Sequence, residues 1–138
     1  MKQARAKDLI DFELLGLVSA SKPPKLAWTL NTCCQMALVR SEPINLTSKE
    51  GILISPTVYY SETDYTMFWL FPNKTVQLDG YKNFLIKSLK AFDYFLIIKD
   101  QTEHAVEDLS ELLDVCPMID YYSKLDPLRI NGIEVFIF

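Results

Sequence analysis

The sequence predicts an α+β fold of two layers, a mainly antiparallel sheet of about six to seven strands with two helices packed on it. Three observations carry this expectation. Short apolar runs with period-two alternation recur between turn signals, two segments show helical periodicity, and most strand runs are joined by short turns, which favours antiparallel pairing. A ferredoxin-like βαββαβ order with added strands is the preferred topology. At 138 residues the chain is expected to be a single domain, 1–138.

Residues 9–19, LIDFELLGLVS, begin with alternating polarity and read as the first strand. Pro23 and Pro24 then suit a helix entry, where a missing amide hydrogen costs little. Leu26, Leu30, Cys33 and Ala37 follow at helical spacing, enough for about three turns. Residues 38–47 are expected to form a short strand and a loop around Pro43. ILISPTVYY and DYTMFWLF flank SET as a hairpin, and two more turns are marked by Pro72 with Asn73 and by Asp79 with Gly80, on either side of TVQL. NFLIKSL fits a short strand or a helical turn, whereas AFDYFLII is a strand.

Asp100 and Glu103 make a capping-box pattern, with Asp in place of the usual Ser or Thr. The helix they open has Val106, Leu109, Leu113 and Cys116 on one face, and Pro117 ends it because the residue before proline avoids helical geometry. MIDYY is expected as another strand, LDPLRING as a turn region and IEVFIF as a closing strand.

Composition narrows the function. Apolar residues make up 49% and charged residues 23%, as in chains that fold. A net charge of −4 argues against general nucleic-acid binding, which needs basic groups to displace counterions. Asp8, Asp11 and Glu13 interrupt the first apolar stretch, so no secretory signal is expected, and no window is long and uncharged enough to span a membrane. Cys33, Cys34 and Cys116, an odd number without an export signal, suit reduced thiols in a cytoplasm.

Three strands are apolar on both sides. Tyr65, Met67, Trp69 and Phe71 oppose Phe68 and Leu70, while Phe92, Tyr94, Leu96 and Ile98 oppose Asp93, Phe95 and Ile97. In the expected closing strand, Ile133, Val135 and Ile137 oppose Phe136 and Phe138. A sheet of about six strands is ~29 Å wide, and two helices cover roughly 20 Å of one side. The second side therefore needs a cover: a second copy, a foreign ligand or partner, or the sheet curled on itself.

The run LIKSLKAFDYFLII resembles the signature of the bacterial IPExxxVDY family. Ile86, Asp93 and Tyr94 fall at the matching positions, whereas Lys87 and Ser88 stand where the signature has Pro and Glu, and Phe92 stands for Val. DFELLGL and KLAWTLN are similar as well, so the likeness spans most of the chain. It implies no activity, cofactor or catalytic residue.

Among chemistry-bearing residues, Asp93 has three readings: a buried general acid or base, a structural hydrogen-bond acceptor, or an exposed edge residue. The structural acceptor is favoured, because no motif brings a second reactive group to it. His104, the one histidine, is expected on the surface of the second helix. The neighbouring Cys33 and Cys34 diverge by ~100° on a helix and do not readily share a metal. Four scattered glycines make no phosphate-cradling loop.

The resulting expectation is a small cytoplasmic, non-catalytic binding or assembly module. It would form a homodimer or take a protein partner through an apolar sheet face bearing Phe68, Trp69, Asp93, Phe95 and Phe136. No catalytic residue, metal, cofactor, nucleic acid or membrane is expected. The alternatives are an enzyme using Asp93, and a small-molecule sensor with a cavity between subunits.

Overall fold

A computed structural model of the chain describes residues 10–47, 51–63, 65–76, 82–100 and 105–136. Its main sheet has six strands: β1 (Glu13–Val18), β2 (Val39–Arg40), β5 (Tyr59–Glu62), β6 (Thr66–Pro72), β9 (Tyr94–Asp100) and β10 (Tyr121–Leu125). They lie in the order β10-β1-β9-β6-β5-β2, and every neighbouring pair is antiparallel. Helix α1 (Pro23–Cys34) follows β1, and helix α2 (Ala105–Leu113) lies between β9 and β10. Without β2 and β5, the order β10-β1-β9-β6 with these two helices is the ferredoxin-like βαββαβ arrangement. The added strands extend it at the β6 side.

Local chemistry sets the helix ends. Pro23 and Pro24 open α1, and Gln35 closes it in the left-handed region at φ 57°. Asp100, the last residue of β9, accepts a hydrogen bond from the Ala105 amide, the first described residue of α2, at 2.8 Å through Oδ2. Glu103, the other half of the expected box, lies outside the described residues, as do His104, Asp79 and Gly80. Both helices pack on one face, where Leu26, Leu30, Leu109 and Leu113 meet Leu15, Leu17, Phe68, Leu70, Leu96 and Ile98.

The second face is also closed, by the chain's own excursions. Strands β3 (Leu46–Thr47) and β4 (Leu53–Ile54) form one ribbon, and β7 (Lys74–Val76) and β8 (Lys82–Phe84) form another. Leu46 and Ile54 from the first ribbon, Leu85 and Ile86 after the second, and Ile133, Val135 and Phe136 near the end cover Leu14, Phe71, Phe95 and Ile97. The expectation that a second copy or a partner covers this face is therefore wrong, since the chain covers it with its own residues. Counting helices alone overlooked ribbons and turns, which bury apolar side chains equally well when their polar backbone groups are paired.

IEVFIF is likewise not a strand over its described part. Ile133–Phe136 forms a 3-10 turn that puts Ile133, Val135 and Phe136 into the second core, a spacing that strand alternation does not provide. NFLIKSL contains both of its expected forms, β8 followed by a 3-10 turn at Lys87–Leu89. Pro56 falls in the break that divides ILISPTVYY into β4 and β5.

Gly16 is required by a close approach. A Cβ there would lie 2.5–2.8 Å from three carbons of the Phe92 ring, which crosses β1 on the second face. Gly16→Ala should lower stability by about 1–3 kcal/mol in urea titrations. In a Phe92→Ala background the added cost should largely vanish, and an equal cost in both backgrounds would show that the ring is not the obstacle.

Candidate functional site

The five residues expected to form an interface do not share a surface. Phe68 is buried under the helices, whereas Phe95 and Phe136 are buried in the second core with ring centroids 5.7 Å apart. Those three cannot meet a partner in the folded chain, which corrects the expectation. Trp69 is half-buried at the second face, 4.9 Å from the Tyr60 ring centroid, with the Lys99 ammonium 5.4 Å from its own. It packs against the second core.

Asp93 is architectural. Its Oδ2 accepts from the Ser19 amide at 3.0 Å, its amide donates to the Leu17 carbonyl at 2.8 Å, and its carbonyl accepts from the Asn73 amide at 2.9 Å. The residue thus ties the end of β1 to the entry of β9 and the exit of β6. Beside it, the Tyr94 hydroxyl donates to the Ser21 carbonyl at 2.6 Å, and burial, reinforced by Asp93 and then Tyr59, pushes that phenol up to about 12. Charge repulsion and desolvation act together here, so Tyr94 stays protonated and holds the segment after β1.

The thiols form a cluster that sequence spacing did not reveal. Cys34 faces the helix-side core, Cys33 is half-buried against it, and Cys116, past the end of α2, joins them. Burial raises Cys34, with a smaller upward contribution from Cys33. Burial, reinforced by Cys34 and Cys33, pushes Cys116 from its ordinary 9.0 up to about 12. Among the described residues no group of three potential ligands is arranged to hold a metal ion.

What remains outward is unevenly placed. Of eight large apolar side chains left exposed among the described residues, Val115, Met118, Tyr121 and Leu128 lie within residues 115–128. That segment contains β10, which pairs only with β1 among the described strands and so ends the sheet. The opposite end is β2, two residues long. Short edges resist strand addition, and five-residue β10 has no such protection. On its helix side the Tyr122 hydroxyl bonds the Ser110 carbonyl and the Asp114 carboxylate, while the Lys124 ammonium lies 3.1 Å from the Glu13 carboxylate. On its other side Tyr121 stacks on Phe92 at 6.3 Å and an interplanar angle of 23°.

No strand signal in MIDYY distinguished an edge from a central position, so the open edge was not foreseen. The alternation of burial across β6 and β9 was foreseen, except at Phe92, which precedes β9 and packs on the second core with Phe95 instead of on the side of Tyr94. No family model matches the chain, and neither a curated protein nor a solved structure was found to match it. No described helix is long and apolar enough to cross a membrane.

Because the raised Cys116 holds its proton more tightly when folded, its contribution to stability is complete below about 9 and is lost as pH rises towards about 12. The folded protein should alkylate slowly at Cys34 and Cys116 at pH 8, and rapidly in urea, as read by mass spectrometry of digests. Equal rates in both states would contradict the buried cluster.

Proposed function

We propose that the chain is a small non-catalytic assembly module that self-associates through the open edge of β10. The concentration of exposed apolar side chains on the segment bearing that edge carries this reading. Unpaired backbone groups on an edge strand are a template for another strand, and exposed apolar neighbours add area to such a junction. A second copy is the occupant favoured by charge. An antiparallel two-fold through Tyr122 sets Asp120 of each copy against Lys124 of the other, whereas one through Ser123 sets Asp120 against Asp126. The first register gives two opposite-charge pairs and the second gives like charges.

The junction buries the flank of a single five-residue strand, so a weak and reversible dimer is expected. The three unpaired thiols suit a reducing compartment such as the cytoplasm. Kinship with the IPExxxVDY family stands as part of the same reading, on Ile86, Asp93 and Tyr94. Asp93 works there as an acceptor for the main chain, which favours a binding module over an enzyme built on that carboxylate.

Sedimentation equilibrium over micromolar concentrations tests the register. Asp120→Lys and Lys124→Asp should each weaken association roughly tenfold, because two pairs change from attraction to repulsion. The doubly exchanged variant should recover it. A wild-type chain that stays monomeric throughout, or single variants that associate unchanged, would overturn the proposal.

A further inference from the structure

A second surface is independent of the β10 edge. At the rim of the second face a cleft of about 550 Å³ is lined by Phe84, Leu85, Lys87, Ser88 and Lys90 on one side and by the turn at Asn131 and Gly132 on the other. None of these lining residues is acidic, although the whole chain carries a net charge of −4. Two of the lining residues, Lys87 and Lys90, are cationic, which favours an anion at this rim. The Lys90 ammonium is held over the aromatic wall, 5.5 Å from the Phe84 ring centre.

Both walls are fixed before any ligand arrives. Asn73, fully buried beneath the first wall, accepts from the Ile86 amide at 3.0 Å through Oδ1 and from the Leu85 amide at 2.8 Å through its carbonyl. Its Nδ2 donates to the Leu89 carbonyl at 2.9 Å and the Phe92 carbonyl at 3.0 Å. Main-chain anchors therefore lie on both sides of Lys87 and Ser88. The opposite wall is held by Ile133, Val135 and Phe136 in the second core. Gly132 has φ +89°, and nothing lies within 4 Å of the place a Cβ would take, which leaves bare main chain at the cleft. Such a preorganised site loses little freedom on binding.

We infer that this cleft binds a small organic anion, with a phosphoryl or carboxylate head at Lys87, Ser88 and Lys90 and a flat apolar body against Phe84 and Leu85. Ammonium, hydroxyl and side-chain amide groups match the acceptor oxygens of such a head. The cleft volume is in the range of small-molecule sites.

Titration of the full chain with phenyl phosphate, benzoate, inorganic phosphate and phenol, followed by amide chemical shifts, tests the site. At least one of the two aromatic anions should give saturable shifts at Ser88, Lys90 and Gly132, and the tighter one identifies the preferred head. Inorganic phosphate should bind more weakly than phenyl phosphate, and phenol should not saturate. The double variant Lys87→Gln, Lys90→Gln should weaken the anion at least roughly tenfold in a chain that still unfolds cooperatively in urea. Binding that survives the double variant, shifts centred elsewhere, phenol binding as tightly as the anions, or no saturable shift at millimolar concentrations would overturn the inference.

Discussion

The central strand β9 is buried on both faces, and this constraint organises the rest of the molecule. Tyr94, Leu96 and Ile98 need the helices, while Phe95 and Ile97 need an equally dry cover on the opposite side. Two helices supply only the first. The second comes from segments that a minimal ferredoxin-like chain lacks: the β3–β4 ribbon, the stretch after β8, and the closing 3-10 turn. Asn73 pins the stretch after β8. It satisfies five main-chain groups, through its own amide and carbonyl as well as its side chain, at a site closed to water. Unmade hydrogen bonds at such a site are expensive, so the loop has little freedom to lift away from the core.

Closing both faces moves any recognition to the margins. Phe68, Phe71, Phe95 and Phe136 are committed to the cores. The sheet edge at β10 and the basic rim beside Phe84 remain, one offering main-chain pairing and the other charge. They lie on different segments and recognise different chemistry, so each stands or falls without the other.

The framework was legible because its signals are local. Alternation identified β6 and β9 and their two apolar sides, and the prolines identified the start of α1. The favoured role of Asp93 was legible too, since a carboxylate between aromatic residues with no reactive neighbour in any motif needs a main-chain donor, here Ser19. The cover of the second face was not legible. Leu46, Ile54, Leu85 and Val135 are single apolar residues in irregular or very short elements, and no periodicity reports where they dock. IEVFIF was misread for a related reason: β-branched and aromatic residues favour strands in general, but here tertiary burial of residues 133, 135 and 136 prevailed over propensity. The thiol cluster and the Asn73 network join residues far apart in sequence, which spacing cannot show.

Amide hydrogen exchange, followed as the protein is diluted from micromolar to nanomolar, measures most directly whether the chain shelters its own sheet. The amides of β9 should be among the slowest to exchange and should keep the same rates at every dilution, because their cover is intramolecular. Loss of β9 protection on dilution would mean that a second molecule completes the core, and the self-sheltered sheet would have to be abandoned.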